Sequence, residues 1–271
     1  MKKVTGLLLM ILMIALTACG KNDGGQAGTD ESLNYILDRK QFIVGLDDSF
    51  PPMGFRDEDN NIVGFDIDLA EAVAEKLELE LVLQPIDWTA KEQELNTKNI
   101  DCIWNGFSIN EERLEQVTMS KPYLGNTISL VVEKDSDIVT LEDMAGKRLA
   151  VQSGSSAEDA LNLDENKKLK DSLGAVNGFA TYEIALLDLE TGNSDAVLMD
   201  SVAANYMINE AKKDFIILDE SLIAEEYAIG FRKGEFELCK AVEDALSELK
   251  KEGVIEEIST KWFGSDVTLI E

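Results

Sequence analysis

The sequence predicts an α/β fold built mainly on parallel sheets. Short apolar stretches that are typical of strands alternate along the chain with segments of helical periodicity, which is the pattern of strand–helix–strand units. The chain of 271 residues is 45% hydrophobic, which argues against a disordered polypeptide. Its length corresponds to one large domain or two modest ones.

The first half of the chain begins this alternation. Strands are predicted at 41–46, 61–65, 79–83, 101–104 and 127–132. Leu69, Val73 and Leu77 recur at i, i+4 and i+8, which predicts a helix directly after the second of these strands. The strand at 79–83 is indicated by the alternation of leucines in that segment.

The second half continues in the same way. Strands are predicted at 148–152, 195–199 and 227–231, and helices at 157–163, 181–189 and through Ala203 and Ile208. An amphipathic stripe from Leu238 to Leu249 predicts a further helix, with Gly253 as its stop signal.

The charge and the composition exclude several function classes. With 53 acidic and 25 basic residues the formal net charge is −28, so a nucleic-acid backbone is not an expected partner. The chain has no histidine, which excludes a Ser-His-Asp hydrolase and a zinc enzyme with histidine ligands. What remains is carboxylate chemistry or binding without reaction, and no cofactor or metal is expected.

The N-terminus is typical of an export signal. Lys2 and Lys3 precede an uncharged apolar run from Leu7 to Leu16, which is too short to span a bilayer. The following segment, up to Cys19 and Gly20, resembles a bacterial lipobox, in which the signal is cleaved before the cysteine and the cysteine carries a lipid. The alternative is an ordinary signal peptide with an accidental cysteine.

Residues 19–31 read as a flexible tether, because the stretch 20–29 contains no large apolar residue. About twelve such residues reach about 20 Å, so the globular part is expected to work beside the outer face of a membrane. Cys102 and Cys239 either form one bridge or remain two buried free thiols. Their apolar surroundings in the sequence favour free thiols.

Arg113 is the first candidate binding residue. Asn110 is a good N-cap, which puts Arg113 in the first turn of a helix, where a cation opposes the helix dipole. This placement has a purpose if an anion docks at the helix start and receives the guanidinium fork. The alternative is an exposed arginine paired with Glu112 or Glu115.

Two further candidates follow strands in the second half. The segment from Gly154 to Asp159 predicts a helix start with Ser156 as N-cap and Asp159 in the capping-box position, and its N–H groups and hydroxyls are suited to the same anion. Asp200 ends a buried strand, where ligands of open α/β sheets bind. The alternatives are plain capping by Ser156, and capping of the next helix by Asp200.

An aromatic and acidic group completes the candidates. Asp47 and Phe50 lie beyond the first strand, and Trp88 follows Asp87. Taken singly, aromatic residues such as Phe50 and Trp88 are more often part of a core than a platform for a ligand.

Several segments together resemble the extracellular solute-binding proteins, family 3, of polar amino-acid ABC importers. The likeness covers about residues 34 to 264 and lies behind the lipobox. Its most specific part is the segment from Gly64 to Ala74. The other family-like segments are Gly106 to Arg113, Ser120 to Tyr123, and Lys261 to Gly264.

The resemblance implies a two-lobed fold of the periplasmic-binding-protein type II class, with ligand in the cleft between the lobes. Residues 1–18 are then the signal peptide and 19–31 the tether. Lobe 1 is 32–125 plus 228–271, and lobe 2 is 129–221. Two crossing segments near 125–128 and 221–227 form the hinge.

The resemblance also implies roles for the candidates. Arg113 matches the clamp of the ligand α-carboxylate, and Asp200 the partner of the α-ammonium group. Ser108, Ser156 and the backbone of Gly106 match contacts to these groups. The aromatic walls are Phe50 and Trp88, and Asp47 is a polar probe of the side-chain end.

Some positions of the family pattern carry less information or depart from it. The family often has Ser or Thr at the position of Gly106, and Thr at that of Ser156, which loosens any inference about the identity of the ligand. Asp66 and Asp68 of the signature segment are expected to be structural, as a helix cap and a surface residue.

The implied function is that of a substrate-binding lipoprotein without enzymatic activity. It is expected to be a monomer outside the cytoplasm, anchored to the cell membrane by the Cys19 lipid, and to deliver an amino acid to the permease and ATPase of the importer. Two alternatives remain: a cyclohexadienyl-type dehydratase on the same scaffold, and a sensor lipoprotein that presents ligand to a separate receptor. The amino acid is left open among basic residues, glutamine, cystine and other polar types.

Overall fold

A large mixed β-sheet is the centre of the computed structural model, which describes residues 29–211 and 213–271. Its strands are β1 Gln41–Leu46, β5 Glu80–Pro85, β6 Cys102–Ser108, β7 Val117–Met119, β8 Leu124–Glu133, β9 Arg148–Gln152, β10 Ala175–Phe179, β11 Ala196–Asp200 and β12 Phe215–Arg232. Their order in the sheet is β10-β9-β11-β8-β12-β6-β1-β5, with β7 pairing to β12. A small antiparallel sheet contains β2 Ser49–Phe50, β3 Gly54–Arg56 and β4 Ile62–Val63.

Helices surround this sheet. They are α1 Ser32–Arg39, α2 Phe65–Lys76, α3 Lys91–Asn96, α4 Glu111–Gln116, α5 Ser156–Leu161, α6 Lys167–Ser172, α7 Tyr182–Glu190, α8 Ser201–Ala211, α9 Phe236–Lys251 and α10 Val254–Phe263. Short 3-10 helices cover Trp88–Ala90, Leu141–Met144 and Asp164–Asn166. Within the described ranges, none of the helices is long and apolar enough to cross a membrane.

The predicted α/β class is confirmed, but the prediction of mainly parallel sheets holds only for the two ends of the sheet. Strands β5, β1 and β6 are parallel to one another, as are β10, β9 and β11. The centre is antiparallel, because β12 pairs with both β8 and β6, and β8 also pairs with β11 in that sense. The two long strands β8 and β12 therefore join two parallel halves.

The apolar pattern predicted only part of the length of β8 and β12. Only 127–132 and 227–231 were predicted, while β8 starts at Leu124 and β12 at Phe215. The missed part of β12 contains exposed acidic residues, which a search for apolar runs passes over. The predicted crossing segments at 125–128 and 221–227 lie inside these two strands, which pair with each other there.

The amphipathic stripe predicted from Leu238 to Leu249 forms the side of α9 that faces the core. Its buried residues include Leu238, Val242 and Leu249, and the helix packs against α1, α2 and α10. Asp30 fixes the start of α9, since its Oδ2 accepts hydrogen bonds from two backbone N–H groups of the first turn, at 2.6 and 2.7 Å. Burial of such a stripe is the main stabilising contribution of a surface helix.

Three outcomes concern residues singled out in the sequence. Cys102 and Cys239 are free and buried, as the apolar context favoured. Gly253 adopts φ 83°, a left-handed conformation, between α9 and α10, as expected of a stop residue. The predicted signal peptide 1–18, the lipidation site Cys19 and the tether up to residue 28 lie outside the described residues.

Candidate functional site

A narrow cleft between the two parallel halves of the sheet collects the predicted binding residues. Seven of the eight predicted residues line it, and Ser108 lies directly behind them. The lining residues are Asp47, Phe50, Trp88, Asn105, Gly106, Arg113, Gln152, Ser155, Ser156 and Asp200.

The topology explains why these residues meet. Asp47 follows β1, Asn105 and Gly106 belong to the carboxyl-terminal half of β6, and Gln152 and Asp200 end β9 and β11. The carboxyl ends of parallel strands in an open sheet form the crevice where ligands bind. The same argument that singled out Asp200 therefore also applies to Gln152, which the sequence analysis passed over.

Arg113 lies where the capping argument predicted. The Asn110 side chain accepts a hydrogen bond from the Arg113 N–H at 2.8 Å and caps α4. The arginine is only 4% exposed, which rules out the alternative of an exposed surface residue. Its guanidinium donates to the Ser108 carbonyl at 3.1 Å and lies 4.6 Å from the centroid of the Phe107 ring.

The guanidinium also reaches the opposite half of the sheet. Arg113 Nη2 lies 3.4 Å from the Gly154 carbonyl and 3.3 Å from Asp159 Oδ2. A second buried cation, Lys91, donates to the same carbonyl at 3.1 Å. Burial, followed by the positive charge of Arg113, lowers the pKa of Lys91. This end of the cleft is therefore positive.

The helix start at α5 differs from its prediction. Ser155, not Ser156, is the N-cap, and its Oγ accepts a hydrogen bond from the Glu158 N–H at 3.2 Å. The prediction that Ser156 is the N-cap and Asp159 the capping-box residue was therefore wrong, because it placed the helix start one residue too late. Ser156 is free to face Ser108, whose Oγ lies 3.1 Å from its own.

Asp200 is fully enclosed by hydrogen-bond donors from other elements. Its Oδ1 accepts from Tyr227 Oη at 2.6 Å and from Asn126 Nδ2 at 2.8 Å, and its Oδ2 accepts from Tyr182 Oη at 3.0 Å. Burial raises the pKa of Asp200 despite these donors. The side chain lines the cleft.

Glu225 is a buried carboxylate that the sequence analysis did not single out. Its Oε1 accepts hydrogen bonds from Ser108 Oγ at 2.6 Å, Asn126 Nδ2 at 2.8 Å and Ser156 Oγ at 3.1 Å. Burial, followed by the charge of Asp200, raises its pKa. The sequence could have pointed to Glu225 through the two-residue period of a strand, which puts it on the same face of β12 as Tyr227.

The far end of the cleft is acidic and aromatic. Asp47 Oδ2 accepts a hydrogen bond from Gln152 Nε2 at 2.7 Å, across the cleft, and burial raises the pKa of Asp47. Phe50 and Trp88 are 6% and 8% exposed, and Phe50 lies 5.9 Å from the ring of Tyr182 on the opposite side. Both aromatics thus line the cleft while being part of its packed walls.

Asp66 is not the helix cap that the sequence analysis expected. The N-cap of α2 is Gly64, and Asp66 is fully buried. Its Oδ2 accepts from the Gly106 N–H at 2.7 Å and from Tyr123 Oη at 2.8 Å. Burial raises the pKa of Asp66 to about 7. The signature segment therefore holds the backbone of a cleft residue in place.

Gly106 itself has a steric reason to be glycine. Its φ is 57°, and a Cβ at this position would lie 2.7 Å from a ring carbon of Phe50 and 3.2 Å from one of Tyr227. A side chain there would displace the aromatic wall. Asp68, the other acid of the signature segment, is partly exposed and accepts from Trp262 Nε1 at 2.7 Å.

Comparison with known proteins gives consistent similarities. The family model of bacterial extracellular solute-binding proteins, family 3, matches residues 42–265. The L-cystine-binding protein TcyJ of Escherichia coli (strain K12) is 31% identical over 264 residues, with 96% of each chain covered. The arginine-binding extracellular protein ArtP of Bacillus subtilis (strain 168) is 31% identical over 264 residues, covering 95% of this chain and 97% of the relative.

A solved structure is similar over most of its length. It is the substrate-binding protein of an ABC uptake transporter from Streptococcus pneumoniae with bound histidine, with a TM-score of 0.85 and 40% identity. The match covers 89% of this chain and 99% of that structure. The two-lobed fold is thereby confirmed, and the relatives differ in the amino acid that their names state.

Asp66 provides a pH test of this structure. Its pKa in the folded protein, about 7, is above the ordinary value of 3.8, so the folded state holds a proton that the unfolded state releases between these values. Its contribution to stability is complete below pH 4 and is lost as pH rises through 7. The free energy of unfolding of the wild type, relative to Asp66→Asn, should fall by up to about 1.4 kcal/mol per pH unit from pH 4 to 7. Urea unfolding at four pH values measures it.

The control for this experiment is Asp68→Asn, which changes a partly exposed carboxylate of the same helix. Because this variant keeps Asp66, its free energy of unfolding should still fall from pH 4 to 7 relative to that of Asp66→Asn. Parallel pH profiles for the wild type and Asp66→Asn would contradict the assignment.

Proposed function

From the premise that this chain belongs to the bacterial extracellular solute-binding proteins, family 3, we propose that it is the amino-acid-binding subunit of an ABC importer. It captures a polar amino acid in the cleft and delivers it to the membrane permease and its ATPase. One observation carries the proposal: a buried guanidinium, Arg113, and a buried carboxylate, Asp200, line the same narrow cleft. A free amino acid is a zwitterion and presents the complementary pair of charges.

The carboxylate of the ligand is assigned to the positive end. Arg113 offers a planar fork to a carboxylate, and the start of α5 adds backbone N–H groups. Ser108 and Ser156 bring hydroxyl groups from opposite halves of the sheet to within 3.1 Å of each other. In this conformation both hydroxyls donate to Glu225 Oε1, so the proposal assigns the ligand carboxylate to the Arg113 guanidinium.

The α-ammonium group is assigned to Asp200. In the described part of the chain, this carboxylate receives its hydrogen bonds from neutral groups, two tyrosines and one asparagine. No lysine or arginine of the described residues forms an ion pair with it. A ligand ammonium would supply the missing opposite charge, which makes the burial of the carboxylate less costly.

The side chain of the ligand is assigned to the end with Asp47, Phe50 and Trp88. Among the described residues, Asp47 accepts hydrogen bonds from the neutral groups of Ser49 and Gln152. Glu183 and Asp48 add further negative charge nearby. This environment suits lysine, arginine, ornithine or histidine, and it also accepts the amide of glutamine. Cystine fits the aromatic walls.

Closure of two lobes is the proposed working motion. The predicted lobes, 32–125 plus 228–271 and 129–221, meet through the contacts of Arg113, Lys91 and Ser108 with the α5 region. A ligand that adds contacts to both lobes favours the closed state through these differential contacts. The crossing segments at 125–128 and 221–227 would bend, although they are paired strands in this conformation.

The N-terminal segment supports a location on the outer face of the cell membrane. The motif at Leu16 to Gly20 implies a lipid on Cys19, and residues 19–31 then act as a leash for a monomeric binding domain. Such a protein stays near its permease while its cleft remains accessible to solutes.

A second function, that of a dehydratase on this scaffold, is favoured by one observation only. Asp200 and Glu225 are buried carboxylates with raised pKa values, as a general acid requires. Incubation with prephenate or arogenate, followed by mass spectrometry of the products, distinguishes the two functions. We expect no product, and a product that disappears in Asp200→Asn would establish the enzyme instead.

Arg113 provides the direct test of the proposed carboxylate clamp. Arg113→Gln should weaken binding of the amino acid on the order of a hundredfold or more, since a desolvated charged hydrogen-bond pair is lost. Arg113→Lys should recover only part of the affinity, because an ammonium group lacks the planar fork. Isothermal titration with the amino acid that gives the largest thermal shift in a screen of polar amino acids measures both.

The control is Arg148→Gln, which removes an arginine that pairs with Asp195 and is nearly half exposed. It should bind as the wild type does. Full binding by Arg113→Gln would refute the clamp, and full recovery by lysine would indicate that charge alone matters.

The lipid anchor is tested by Cys19→Ala. The variant should be released into the medium or remain as an uncleaved precursor, whereas Cys102→Ala, which changes a buried thiol, should stay with the membrane fraction. A lipid-free Cys19→Ala protein that still fractionates with membranes would contradict the anchor.

A further inference from the structure

Two buried carboxylates lie next to each other at the cleft: Asp200, which lines it, and Glu225, which is not among its lining residues. Asn126 Nδ2 donates to both Asp200 Oδ1 and Glu225 Oε1, each at 2.8 Å. The two acceptor oxygens are therefore at most twice 2.8 Å apart. Asp200 is 3% exposed and Glu225 is 9% exposed, so this pair is largely removed from water.

Neither carboxylate forms an ion pair with a lysine or arginine of the described residues, although the charge of Arg113 lowers the pKa of Glu225. The charged and titratable groups that face it are Arg113 of α4, Tyr182 of α7 and Tyr227 of β12. Among these, Arg113 carries the only positive charge, and within the described chain it forms its ion pair with Asp159 rather than with the two acids. Two negative charges so close together in a buried site strongly disfavour each other.

A proton is the simplest way to relieve this repulsion in the absence of ligand. Burial raises the pKa of both groups, the charge of Asp200 raises that of Glu225 further, and a side-chain hydrogen bond with Glu225 lowers that of Asp200. One carboxyl group of the pair then stays protonated in the empty cleft near neutral pH. An ammonium group that enters the cleft replaces this proton as the source of positive charge.

We propose that Asp200 and Glu225 act as a pair that exchanges one shared proton for the ammonium group of the incoming amino acid. The inference rests on the proposed function, and it adds Glu225 as a residue that sets how binding depends on pH. The step balances simply: the ligand enters as R–NH3+, one O–H bond of the pair breaks, and the proton passes to solvent. No other reactant is needed.

Glu225 is also placed to link this exchange to closure. Its Oε1 accepts from Ser108 on β6 and from Ser156 on α5, and these hydroxyls belong to opposite predicted lobes. The residue itself lies in the second predicted crossing segment. Ionisation of Glu225 strengthens both hydrogen bonds, because charge-assisted hydrogen bonds are stronger than neutral ones.

The test is a pH series of isothermal titrations with L-arginine, replaced by L-glutamine if arginine does not bind at pH 8. Both probes remain predominantly zwitterionic from pH 5 to 7, where the change in affinity is expected. For the wild type, affinity should rise on the order of tenfold per pH unit from pH 5 and level off above about pH 7. Titration at pH 6 in two buffers of different ionisation enthalpy should show release of close to one proton per ligand.

The informative variant is Glu225→Gln, and Glu226→Gln is its matched control, because Glu226 is the exposed neighbour on the same strand. Glu225→Gln should change affinity less than about threefold over the same pH range and release few protons, since the remaining carboxylate ionises at lower pH. Glu226→Gln should keep the slope of the wild type. A wild-type slope and proton release in Glu225→Gln would overturn the proposal.

A measurement on the wild type alone covers the case in which Glu225→Gln does not fold. Carboxyl-carbon NMR of the ligand-free protein should show two coupled titrations, which disappear from pH 5 to 8 when the amino acid saturates the cleft. Titrations that ligand leaves unchanged would contradict the exchange. Binding at pH 8 with a flat pH profile would contradict this inference alone, while absence of binding by both probes would count against the proposed function.

Discussion

The amide of Asn126 is the interaction on which the rest of the cleft depends. Its Nδ2 holds the carboxylates of Asp200 and Glu225 together, and its Oδ1 accepts from the Val202 N–H at 3.2 Å, at the start of α8. One side chain on β8 thereby connects β11, β12 and a helix start. Buried polar groups must be satisfied to be tolerated, so the positions of these elements are constrained together.

The same constraint explains why the cleft is suited to a zwitterion. Arg113 places positive charge on one wall of the cleft, and Asp200, with Glu225 beside it, places negative charge on the opposite wall. Uncompensated charges in a buried site are expensive, and a ligand with both charges lowers the cost at both ends. In the proposed binding mode, the acidic end around Asp47 contacts the side chain of the ligand.

Local sequence signals predicted much of this arrangement, since each depends on a few adjacent residues. The N-cap residue Asn110 predicted that Arg113 lies in the first turn of a helix. The end of a buried strand predicted the position of Asp200, and the helical period of the apolar residues predicted α9. The predictions failed where position depends on distant contacts. Asp66 looked like a cap because its burial against Gly106 and Tyr123 is tertiary. Glu225 lies in a polar stretch, and only pairing with β6 and β8 turns that stretch into the strand that buries it.

The central claim is that an amino acid binds as a zwitterion between Arg113 and the Asp200–Glu225 pair. A crystal structure of the protein with its preferred amino acid tests it most directly. We predict the α-carboxylate within about 3 Å of the Arg113 guanidinium and the α-ammonium within about 3 Å of Asp200, at charge-assisted hydrogen-bond distances. A ligand in the reverse orientation, or one bound outside the cleft, would contradict the account.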